Sequence, residues 1–179
     1  MNRVIQFFNY EQCFQHYTKQ ILSIRQAKIY GEVIVAKPVL LLTIIDAIDS
    51  NVFTNNQFVI NEWLEEHYNS LMRLYAKGSQ FDETTGIEKP FWHLESDGFW
   101  HLQYTGDSLS KSRTPSKDWI KDNVSFARLD DDLWFLLQNK VWRTRLRDYI
   151  IEHKLTDDSW SGLKVAESLS LLAALVLAA

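Results

Sequence analysis

A chain of 179 residues with 46% apolar residues, three prolines and six glycines can bury one sizeable core and is too apolar for a disordered or fibrous protein. Its net charge of -4 argues against indiscriminate nucleic-acid binding, but the charge is uneven. Lys111 to Arg147 carries nine basic residues (Lys111, Arg113, Lys117, Lys121, Arg128, Lys140, Arg143, Arg145, Arg147) against five acids (Asp118, Asp122, Asp130, Asp131, Asp132), so that segment is +4 and the rest -8. The lone Cys13 excludes an intramolecular disulfide, and no apolar run follows a basic start, so a cytoplasmic protein is expected.

In chain order, Val4 to Ile29 has the mixed apolar and charged spacing of an amphipathic helix, which Gly31 ends. Pro38 then opens Val39 to Ile48, apolar on nearly all sides, as a central buried helix. Val52-Phe53 reads as a two-residue strand, and Thr54-Asn55-Asn56 as caps for a helix from about Gln57 to Tyr75. Lys77 to Gly86 reads as a loop. Pro90 to Tyr104 places two aromatic runs around Asp97-Gly98, which predicts a β-hairpin with Trp92 and Trp100 in the core. Pro115-Ser116-Lys117 starts a short helix and Val124 to Leu129 is a strand. Asp130-Asp131-Asp132 complements the start of a helix through Leu137, and a last helix covers Asn139 to His153. Leu169 to Ala179 is uncharged but too short to span a membrane. The expected class is mainly α (α+β): a helical domain over 1–155 with a winged-helix-like core and one aromatic hairpin, and an appendage over 156–179.

Chemistry is sparse. The five histidines never fall at metalloprotease spacing, and no G-x-S-x-G, G-x-G-x-x-G or P-loop occurs. Glu65-Glu66-His67 and Glu152-His153-Lys154 lie on predicted helices as solvated faces; the second spells the E-x-K of some Mg-dependent nucleases, which place it on a strand. No catalytic residue, metal or cofactor is expected. Binding chemistry is richer: Lys89, His93 and His101 lie on or beside the aromatic run, near Lys111-Ser112-Arg113-Thr114, where cations and hydroxyls suit phosphates.

Ala36-Lys37-Pro38-Val39-Leu40-Leu41-Leu42, followed by Pro90-Phe91-Trp92-His93-Leu94 and Asp97-Gly98-Phe99-Trp100, resembles the sulfur-binding domain of McrA-type HNH restriction endonucleases over roughly Ile29 to His153. The resemblance implies a module that docks on duplex DNA and receives a phosphorothioate sulfur in a small apolar cavity, with cleavage left to an HNH nuclease domain or subunit. Here Ala36 stands where the family has a histidine, Lys89 where it has the tyrosine of a Tyr-Pro pair, and His93 where it has a small residue. A cation and an imidazole make such a pocket smaller and more polar, which disfavours a poorly hydrated sulfur. The expected function is a non-catalytic DNA-recognition domain of a modification-dependent restriction system. Its site residues are Lys37, Lys89, Pro90, His93, Lys111, Arg113 and Lys117, and its partners double-stranded DNA and, in a homodimer, a second copy. The alternatives are a winged-helix-like protein-interaction module and a nuclease with an unrecognised metal site.

Overall fold

Asn9 accepts a hydrogen bond from the Gln12 N–H and starts α1 (Tyr10–Leu22), in a computed structural model that describes residues 7, 9–76, 85–105 and 114–156. Two short strands, β1 (Lys28–Ile29) and β2 (Glu32–Val33), pair antiparallel across Tyr30-Gly31. Both tip residues take left-handed backbone angles, φ 48° and 90°, as a two-residue hairpin turn requires. Glycine does so freely, whereas Tyr30 pays about 1 kcal/mol.

Next come α2 (Ala36–Asp49) and α3 (Glu62–Tyr75). The predicted central helix is α2: Val39, Leu40, Leu42 and Ala47 are fully buried, and it packs against α3. Asn61, rather than Asn55 or Asn56, caps α3 by accepting from the Leu64 N–H, so the helix begins five residues later than the sequence suggests. Asn56 instead joins to both backbone groups of Leu129. No strand forms at Val52-Phe53; Phe58 makes the bridge, to Ala127.

The predicted hairpin over Pro90 to Tyr104 is corrected. Glu88–His93 is a helix, α4, continued by a 3-10 turn over Leu94–Asp97 that Gly98 ends at φ 95°. Only Trp100–Tyr104 is a strand, β3, and its partner is β4 (Val124–Leu129), reached through α5 (Lys117–Asn123). Pro90, Phe91 and Trp92 are three consecutive buried residues on a helix of six, and Leu94 is buried in the turn after it, so neither a period of two nor one of 3.6 shows. The Asp-Gly signal marks the end of a helical turn, not the bend of a hairpin.

Ser116 caps α5, β4 has the predicted bounds, and α6 (Asp131–Gln138) and α7 (Lys140–Ile150) follow, with a π-turn over Ile151–Leu155. The two tryptophans are core as expected. Trp100 stacks on Phe58 at 5.6 Å, meets Phe91 edge-on at 5.3 Å and donates its indole N–H to the Phe91 carbonyl at 2.9 Å. Burial of a side chain of this kind contributes roughly 2–3 kcal/mol.

One carboxylate joins three of these elements. Asp130 accepts from the Tyr17 hydroxyl of α1 at 3.2 Å and from His101 Nε2 of β3 at 2.6 Å, while its carbonyl takes the Trp134 N–H of α6. Burial first, and the Asp130 carboxylate second, push the Tyr17 phenol above its usual range. Cys13 is buried beside Asp132, which raises its thiol to about 12, so it packs as an unreactive core residue. The mainly α class with small antiparallel sheets is as expected. The tail over 157–179 and most of the expected loop, 77–84, lie outside the described residues.

Candidate nucleic-acid interface

Lys37 sits in the first turn of α2, before Pro38, and its ammonium lies 2.6 Å from Asp97 at the end of the turn that follows α4. The Asp97 side chain is only 4% exposed. Its other oxygen accepts the Arg25 backbone N–H at 3.2 Å, and the Arg25 guanidinium donates to the Ser96 carbonyl. Lys154, from the π-turn after α7, donates to the Leu22 carbonyl at the end of α1. Burial lowers the Lys154 ammonium, and the nearby Asp97 charge partly offsets it. Three cations from distant parts of the chain therefore gather around one acid, an electropositive corner that no run of basic residues in the sequence announces.

The second wall of this corner is α4, which packs against α2. His93 is half-buried and hydrogen bonded to the Thr114 hydroxyl at 2.6 Å, and its carbonyl accepts from Ser96, next to Asp97. Lys89 is exposed one turn earlier on the same helix, and Pro90 is buried beneath it. Phe91 points the other way, about 200° around the helix from His93. It lines a cleft of about 100 Å³ with Phe58, Val59, Ile120, Lys121 and Phe126.

Of the seven residues expected at the site, Lys37 pairs with Asp97 at the end of the turn that follows α4, and Lys89, Pro90 and His93 all lie on α4 itself. Lys117 is turned aside: its ammonium lies 2.5 Å from Glu65 of α3, a bond that raises its pKa. Lys111 and Arg113 lie outside the described residues. Sequence reasoning marks Asp97 only as a turn and motif residue and does not mark Arg25 or Lys154, because their significance lies in a convergence of residues 25, 37, 97 and 154 that no local pattern encodes.

The basic segment read from the sequence is mostly spent on folding. Arg147 forks onto Asp46 at 2.7 and 3.3 Å, Arg143 reaches Asp49 at 2.5 Å, and Arg145 meets Glu11 and lies over the rings of Phe14 and Trp142. Asp46 also bonds His67 at 2.8 Å. Burial would raise the Asp46 carboxyl, but the bonds from His67 and Arg147 outweigh it and hold the group below the usual carboxylate range. Among the described residues, no three His, Cys, Asp or Glu side chains converge as a metal site.

No family model matches the chain, and no curated protein matches it. Solved structures do. The sulfur-binding domain of SprMcrA, complexed with phosphorothioated DNA, superposes with a TM-score of 0.61 at 12% identity, over 83% of this chain and 90% of that one. The sulfur-binding domain of ScoMcrA, in a like complex, gives 0.58 at 20% identity over 82% and 91%. A longer ScoMcrA structure that adds an SRA domain gives 0.54 at 21% identity, over 69% of this chain and 37% of that one. The chain therefore has the fold of the McrA sulfur-binding domains.

Proposed function

We propose that the chain is the DNA-recognition domain of a modification-dependent restriction system, reading phosphorothioated duplex DNA and leaving cleavage to an HNH nuclease domain or subunit. The observation that carries this reading is a fold shared with three structures that hold phosphorothioated DNA; in support, Lys37 pairs with Asp97 at the end of the turn that follows α4, the helix that carries Lys89 and His93. A lysine has three donors, so Lys37 can keep Asp97 and still offer hydrogen bonds to a phosphate. His93, bonded to Thr114, is a polar group on α4 that works against the reading of a poorly hydrated sulfur, so the sulfur is the part of the proposal most in need of test.

The test is fluorescence anisotropy with two duplexes of one sequence, one carrying a backbone phosphorothioate, at several salt concentrations. Binding that weakens steeply with salt and is tighter for the modified duplex is the expected result, because counterion release accompanies phosphate contacts. Equal, salt-sensitive binding would remove the sulfur and keep the DNA. Absence of binding to either would transfer the case to a protein-interaction module. That reading draws on an exposed shelf where Phe135 is 45% and Val141 65% exposed, beside the stacked Tyr10 and Trp142 rings.

A further inference from the structure

The β1–β2 hairpin contributes little to the core. Lys28 and Ile29 are exposed, Val33 is 47% exposed and Tyr30, at the tip, is 88% exposed. In the register of the pair, Lys28 faces Val33 and Ile29 faces Glu32, so both faces of the ribbon carry large exposed side chains. A two-stranded ribbon gains little stability by itself, yet this one is firmly based. The Ile34 N–H donates to the Ala27 carbonyl at 2.9 Å, the Gln26 amide donates to the Ile34 carbonyl at 3.1 Å, and Arg25 is fastened to Ser96 and Asp97. A rigid base under an exposed aromatic tip is the form of a probe.

Its position says what it probes. Asp97 holds both Arg25, at the foot of the ribbon, and Lys37, at the start of α2, so the ribbon rises from the corner assigned above to the phosphate backbone. Three residues of extended chain reach about 10 Å, and the major groove is about 8.5 Å deep and wide enough for a two-stranded ribbon. The cations Arg25, Lys28 and Lys37, at the ribbon's foot, on its first strand and at the start of α2, complement the anionic rims of the groove.

We infer that the β1–β2 hairpin enters the major groove of the bound duplex and that Tyr30 at its tip contacts the bases, making it a specificity-determining residue. The inference rests on the DNA-binding reading above. Lys28 and Glu32 flank the tip with the donor and acceptor chemistry that base edges accept, a lysine toward guanine and a carboxylate toward the cytosine amino group.

The experiment uses the full chain and short phosphorothioated duplexes with 2-aminopurine placed in turn at each position beside the modification. Wild type should change the emission at one or two adjacent positions. Tyr30→Ala should remove that change and weaken affinity about tenfold, within the scale of one lost base-edge contact, with the salt slope retained because no charge is removed. Its thermal unfolding should match wild type, since the side chain is exposed. Wild-type affinity and emission in Tyr30→Ala would overturn the inference while leaving DNA binding in place. Failure of wild type to bind any duplex would overturn both, and capture of a protein by Tyr30 in place of DNA would do the same.

Discussion

Two regions of the molecule use cations differently. Along α7, Arg143, Arg145 and Arg147 stand on alternate residues, and each is joined to an acid on another helix. At the corner around Asp97, Arg25, Lys37 and Lys154 come from three separate segments; Lys37 alone pairs with the acid, the Arg25 guanidinium and the Lys154 ammonium being held by the carbonyls of Ser96 and Leu22. An arginine forked onto a carboxylate has committed its geometry, whereas a lysine held by one oxygen still has donors to give. The denser basic segment is therefore the brace, and the sparser one is the candidate face for DNA.

The largest effect is expected at Lys37. Lys37→Met leaves the Asp97 carboxylate, 4% exposed, without its cation and should cost about 3 kcal/mol in urea unfolding. Adding Asp97→Asn should restore most of it, since a neutral amide tolerates the site better. The double variant should then bind duplex DNA with a salt slope lower by about 1. A wild-type slope in that variant would remove Lys37 from the interface.

Arg147→Met should cost about 2 kcal/mol in the same assay and leave the salt slope of DNA binding as in wild type. The acid it braces gives a second check. Because the folded Asp46 carboxyl is held below its unfolded value, its contribution is complete above about pH 4 and is lost as pH falls through the lower folded value. Urea midpoints of Asp46→Asn should therefore fall less steeply in acid than those of wild type. An equally steep fall would show that other carboxylates govern acid unfolding.

Lys89→Ala should have the smallest effect. The residue is exposed, so stability should stay within about 0.5 kcal/mol of wild type. The salt slope should drop by about 1. Stability and slope together separate a contact with DNA from a brace.

Much of the helical frame was legible because its signals are local. Pro38 and the apolar run behind it mark α2, Ser116 marks the start of α5, and β4 has the predicted ends. The failures are equally particular. Pro90-Phe91-Trp92 is buried within a helix and carries the aromatic content of a strand, so composition outweighed the true backbone state. The helix read through Val4 to Ile29 absorbed β1, whose two residues are too few to show alternation. Gly31 is the second residue of a hairpin turn at positive φ, and a lone glycine after an apolar run has the same look in sequence as a helix stop. For the candidate site, the resemblance points to Lys37, Lys89 and His93, whereas the place of Arg25 and Lys154 beside Asp97 comes from tertiary packing that no local pattern encodes.

Asp130 has a consequence for how the molecule opens. Because a single carboxylate receives a phenol from α1 and an imidazole from β3 while its own backbone begins α6, none of the three can leave without exposing a buried polar group of the others. Segments separated by more than a hundred residues of chain thus share one cooperative unit, and α1 belongs to the core rather than fraying from it as a terminal arm.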